Sequence, residues 1–215
     1  KGHSSLDTYE NIPDYCNSFS GEIPSTIKNL SKLTYLNLAE NQFNSTIPES
    51  LFDLVSLTYL DLSFNNFTGG IPEKIANLQN LHHLNLSSNM LSGELPDGLW
   101  TLSQLGTLIL SNFFEHYGVL LDNRNSFTGE LTSNISNLTA LYEFSVANCN
   151  FFGNIPIGLT TLHNLCILKL SYNNFSGTIP DGIKDLEQLR VFWCQGNKLS
   201  GYISQGFNEV MTQRN

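Results

Sequence analysis

The chain has 215 residues, 40 % of them hydrophobic and 13 % charged, with 10 Lys and Arg against 19 Asp and Glu for a formal net charge of −9. That balance disfavours a nucleic-acid backbone or an anionic membrane surface as partner. No apolar run reaches the roughly 20 residues that span a bilayer as a helix.

Along the chain, asparagine recurs on a count of 24: Asn17, Asn41, Asn65, Asn89, then Asn125, Asn173 and Asn197, with Cys149 at the one remaining position. The interval from Asn89 to Asn125 is 36 residues, one period plus 12. Every unit repeats the same order of residues. Two places after the ladder position comes Phe19, Phe43, Phe67, Leu91, Phe127, Phe151, Phe175 or Leu199. Gly usually stands four places after it, then an Ile or Leu, then Pro, with Thr132 and Ser204 replacing Pro in two units. Apolar residues spaced by three follow, as in Leu51, Leu54 and Leu57, and an alternating pair such as Leu60 and Leu62 leads to the next Asn.

The alternating pair predicts a short strand with one face buried. Spacing by three predicts a 3-10 or short helical segment opposite it. Gly and Pro turn the chain between the two. The Asn carboxamide both donates and accepts, so it suits backbone groups that a tight turn buries. A fixed period of this length predicts a solenoid, in which stacked units share a continuous core. Residues 1–215 therefore read as a single solenoid of about eight repeats, with a 12-residue insertion near 112–124.

The unit LxxLxxLxLxxNxFxGxIP, as in "LVSLTYLDLSFNNFTGGIPEKIANLQ", resembles the leucine-rich repeat of plant-type extracellular proteins. Receptor-kinase ectodomains and polygalacturonase-inhibitor-like proteins carry this subtype. The resemblance implies an α/β repeat fold: a leucine-rich-repeat solenoid with a parallel concave β-sheet and short 3-10 or helical segments on the convex side. It also implies recognition of a protein, peptide or glycan rather than catalysis, and an extracellular or cell-surface location, with the cytoplasm as the alternative. The competing functional reading is a structural or assembly subunit held permanently in a larger complex or surface layer. Neither end carries the paired-cysteine cap usual in the family, and Asp14 stands in an inward column. A processed chain or fragment, or a partner over the solenoid ends, is therefore expected.

Between the inward pairs the strand residues form outward rows. One runs Tyr35, Tyr59, His83, Thr107, Glu143, Ile167, Val191; the next Asn37, Asp61, Asn85, Ile109, Ser145, Lys169, Trp193. A third is small, from Ala39 and Ser63 to Ser171, and a fourth holds Glu40, Phe64, Ser88, Asn148 and Tyr172. Exposed aromatics on a rigid sheet make good anchors. The candidate binding residues are Tyr35, Asn37, Tyr59, Asp61, Phe64, His83, Glu143, Lys169, Tyr172 and Trp193. The alternative is that the aromatics merely cover neighbouring strands.

Phe113, Phe114, His116 and Tyr117 in the insertion form a second candidate surface, because scaffolded loops often carry recognition; the alternative is that its apolar residues fold back onto the solenoid edge. Sequons at Asn29, Asn44, Asn66, Asn85, Asn134, Asn137 and Asn174 are candidate glycosylation sites, although a glycan on Asn85 would stand amid the concave face. The cysteines read as buried thiols, since no pair falls within bridging distance, and Cys16 could bond to a missing cap. Neither a metal site nor a cofactor is expected. His82 and His83 point to opposite sides of a strand, and no nucleophile elbow, phosphate loop or CxxC is present.

Overall fold

The computed structural model describes residues 17–112 and 124–203. Its concave sheet contains seven parallel strands in sequence order: Tyr35–Asn37, Tyr59–Asp61, His83–Asn85, Thr107–Ile109, Glu143–Ser145, Ile167–Lys169 and Val191–Trp193. The outward rows are in register, Tyr35 beside Tyr59 and His83, Asn37 beside Asp61 and Asn85. Thr107 pairs with Glu143 across the insertion. The 12 extra residues are therefore accommodated without breaking the sheet.

Among the described residues seven 3-10 segments stand opposite the sheet, including Glu49–Asp53 and Asp181–Asp185. Six of the seven follow directly on a Pro whose fixed φ starts the turn. At Ser133–Asn137 Thr132 takes that place, and its side chain accepts from Asn134 N–H at 3.2 Å. Inward leucines fill the space between the layers, Leu51, Leu54, Leu57, Leu60 and Leu62 all being buried.

A second parallel sheet is absent from the sequence reading. Thr68–Gly69, Met90–Gly93, Ser126–Glu130, Asn150–Asn154, Asn174–Gly177 and Lys198–Leu199 form it, just after the ladder positions. Inward phenylalanines stack as spines along this side of the solenoid: Phe43 and Phe67 lie 5.8 Å apart, Phe151 and Phe175 6.4 Å. Gly69, Gly93 and Gly177 end three of these strands, and the last does more than turn. Gly177 has φ +72°, and a Cβ there would collide with Asn154 Oδ1 of the preceding repeat.

The ladder asparagines work as their chemistry implies. Asn89 Nδ2 donates to the carbonyls of Leu62, Leu86 and Ser87, and its Oδ1 accepts from Phe67 N–H. Cys149 donates to the Leu110 and Ala147 carbonyls, each at 3.7 Å, and its sulfur accepts from Asn112 Nδ2 at 4.0 Å; burial pushes its thiol up to about 12. Cys149, Cys166 and Cys194 are free. The residues expected to carry the repeat register into the two ends, Leu6, Tyr9 and Ile12 before Asn17 and Phe207 and Val210 after Asn197, lie with Asp14 and Cys16 outside the described residues.

Candidate ligand-binding face

The concave rows divide into a closed half and an open half. In the closed half Tyr35, Tyr59 and His83 stack face to face, with centroids 4.1 and 4.2 Å apart. Tyr59 Oη donates to Asp61 Oδ2 at 3.4 Å. Burial, then the Tyr35 hydroxyl and the Asp61 carboxylate, push Tyr59 up to about 12. His83 is shifted below its ordinary value by burial, against the opposing pull of Asp61 and Glu143. Its Nε2 is buried without a partner.

The neighbouring row is turned toward its own backbone. Asn37, Asp61 and Asn85 each accept through Oδ1 from the N–H two residues on, at Ala39, Ser63 and Ser87. Asp61 is buried and also accepts from Ser63 Oγ and Asn85 Nδ2. These three candidates thus close the strand ends, a role their row position alone did not announce. Asn85 is further engaged by Ser87 Oγ, so its attachment nitrogen and its sequon hydroxyl both sit within one network.

The open half centres on a depression of about 370 Å³ lined by Ser145, Ala147, Lys169, Ser171, Tyr172 and Trp193. Its floor is small: Ser111 and Ser145 share a hydroxyl hydrogen bond of 2.5 Å, and Ser111 Oγ accepts from Ala147 N–H. Two aromatics stand over that floor, Trp193 50 % exposed and Tyr172 48 %. Lys169 Nζ bridges to Glu143 at 3.3 Å and lies 5.3 Å from the Trp193 ring centre. Both contacts fix the ammonium while leaving donors free. Tyr172 has φ +54°, and its ring passes so close to Gly196 that a Cβ there would sit 2.5 Å from Cδ1. Of the remaining aromatics, Tyr35 and Phe64 are exposed on the earlier strands.

Asn112, which the sequence does not single out, forms the wall nearest the insertion. Its Oδ1 accepts from Asn125 N–H at 2.6 Å, and its Nδ2 donates to the Asn125 and Asn148 carbonyls. It therefore ties together the residues on either side of the insertion. Phe113, Phe114, His116 and Tyr117 lie outside the described residues. The sequon residues Asn29, Asn44, Asn134 and Asn137 are exposed, whereas Asn66 and Asn174 are half-buried. Among the described residues no three His, Cys, Asp or Glu side chains gather to hold a metal, and no helix is long and apolar enough to cross a membrane.

Two leucine-rich-repeat family models match the chain, one over residues 16–67 and the other over 80–102 and 164–186. The curated proteins give no match. Among solved structures, the leucine-rich-repeat ectodomain of the Arabidopsis thaliana receptor kinase SOBIR1 is 30 % identical with a TM-score of 0.55, over 67 % of this chain and 73 % of that one. The Arabidopsis thaliana membrane receptor kinase GASSHO1/SCHENGEN3, in complex with CASPARIAN STRIP INTEGRITY FACTOR 2, is 36 % identical with a TM-score of 0.82, over 90 % of this chain and 22 % of that one. The plant peptide hormone receptor RGFR1, in complex with RGF2, is 36 % identical with a TM-score of 0.81, over 90 % and 29 %. The chain thus spans less than a third of those two receptors. On repeat, fold and identity alike, the chain belongs to the leucine-rich-repeat family and carries the repeat type of plant receptor-kinase ectodomains.

Proposed function

We propose that this chain is a non-catalytic recognition module, displayed outside the cell, that binds a peptide segment across its concave sheet. The depression walled by Lys169, Tyr172 and Trp193 carries this reading. Small floor residues admit a ligand side chain, the two rings bury area at little entropic cost, and Lys169 supplies directed donors. An extended peptide suits such a shallow, open surface, and RGFR1, a plant peptide hormone receptor, is seen in complex with RGF2. Tyr35 and Phe64 extend the contact toward the first strands; Tyr59, Asp61, His83 and Glu143 hold their neighbours in place. Exposed sequons at Asn29, Asn44, Asn134 and Asn137 support the extracellular location. The residues from 1 to 215 are read as one solenoid throughout.

The two tryptophans make the test direct. Trp100 is 2 % exposed and Trp193 half exposed, so a ligand in the depression changes the emission of Trp193. Titration with a panel of synthetic secreted peptides, including CASPARIAN STRIP INTEGRITY FACTOR 2 and RGF2, is expected to give a saturable blue shift with one of them. The shift disappears in Trp193→Phe. A peptide that binds by calorimetry without altering the emission, and with unchanged affinity for Lys169→Ala, overturns the placement.

A further inference from the structure

Outward positions of the second sheet are occupied by small polar residues, Thr68, Ser92, Thr128 and Ser176 standing at one column of successive repeats. Phe152 breaks that column and is 45 % exposed. Its Cα partner in the parallel pair is Asn174. Phe151 and Phe175 point inward, so Phe152 and Asn174 project outward side by side, with backbones about 4.8 Å apart. Asn174, Phe175 and Ser176 form a sequon. Among the described residues the Asn174 carboxamide has no hydrogen-bond partner, in contrast to that of Asn85.

We propose that Asn174 carries an N-linked glycan whose first pyranose ring lies on the face of Phe152. The inference rests on the extracellular reading, because the transfer belongs to the secretory route. In the transfer, Asn174 Nδ2 attacks the anomeric carbon of a lipid-linked oligosaccharide diphosphate. One N–C bond forms, the anomeric C–O bond breaks, the lipid diphosphate leaves with the bonding pair, and an amide proton is lost to base. Once attached, the sugar presents its electropositive axial C–H groups to the negative face of the phenyl ring. That contact also takes the apolar ring out of water.

An internal control lies in the same column. Asn66 also begins a sequon, and the offset of 22 that pairs Thr46 with Thr68 sets Asn66 beside Asn44. No aromatic platform stands there, and two sequon asparagines compete for one space.

The test uses the full chain secreted from insect cells, with site occupancy read by glycopeptide mass spectrometry. Asn174 is expected to be occupied. Four proteins are then melted: wild type, Asn174→Gln, Phe152→Ser and the double variant. Loss of the glycan is expected to lower Tm by about 2–4 °C in the Phe152 background and to leave the Phe152→Ser background unchanged, the size of shift that a single aromatic contact gives in a chain of this length. The same four proteins made in bacteria are expected to show no such coupling. Asn174 empty while Asn134 is occupied, or equal Tm losses in both backgrounds, overturns the proposal alone. Every sequon empty in the secreted chain overturns it together with the extracellular reading.

Discussion

Asn89 shows why a polar residue belongs in the middle of an apolar stack. It is fully buried, and four backbone groups bond to its carboxamide. Asn89→Ala leaves the Phe67 N–H unpaired, whereas the three carbonyls keep Asn65 Nδ2, Asn125 Nδ2 and the Phe64 N–H as donors, so chemical denaturation is expected to register a loss of about 1–3 kcal/mol. Cys149 gives the converse case. Three weak sulfur contacts replace the full set there, so Cys149→Asn is expected to raise stability by about 1 kcal/mol on the same assay. His83 supplies a pH signature. Its folded-state pKa lies below the unfolded value of about 6.5, so the unfolded chain takes up the proton first. Stability is therefore complete above that value and falls as pH drops from it through the folded pKa. Melting curves across this window are expected to show a shallower decline for His83→Phe, which keeps a ring on Tyr59 but has nothing to protonate. The ladder chemistry was legible residue by residue, because identical positions in a solenoid meet identical surroundings. The closure of Asn37, Asp61 and Asn85 on their own backbone was not. An outward row position states which face a side chain occupies but not whether a neighbour two residues on will claim it.

At the level of elements, the fixed period predicts the concave pairing down to single residues, since equal units must stagger equally. The second sheet escaped because its strands are as short as two residues and carry at most one inward Phe or Leu, which gives alternation too little length to register. Asn112 escaped for another reason: it shares its column with Glu40, Phe64 and Ser88, and so much variety conceals a structural role. Its two hydrogen bonds to the Asn125 backbone make a specific expectation. Asn112→Ala should accelerate amide exchange at Asn125 at least tenfold, a loss of about 1.4 kcal/mol of local protection, while Asn41 and Asn65 keep theirs. Gly196 links element to site. With φ +71° and the Tyr172 ring against it, Gly196→Ala must displace that ring and open the wall of the depression.

For the molecule as a whole, the regular positions and the proposed binding surface occupy different places. Leucines, phenylalanines and ladder asparagines are spent on holding repeats together, and they are nearly interchangeable from one repeat to the next. The departures cluster in the later repeats, where Lys169, Tyr172 and Trp193 surround a floor of Ser and Ala. That concentration makes the concave face asymmetric: stacked aromatics and backbone-bonded Asn and Asp side chains on the early strands, an open depression on the late ones. Sequence rows identified the residues on both, but only their hydrogen bonds separate the closed half from the open one. The most direct measurement is calorimetric affinity for the peptide that shifts Trp193 emission, in wild type, Trp193→Ala and Tyr35→Ala. Truncating a central anchor costs about 2 kcal/mol or more, so Trp193→Ala is expected to weaken binding roughly 30-fold while Tyr35→Ala changes it little. Undiminished affinity in a folded Trp193→Ala protein contradicts the assignment of the late concave strands as the binding site.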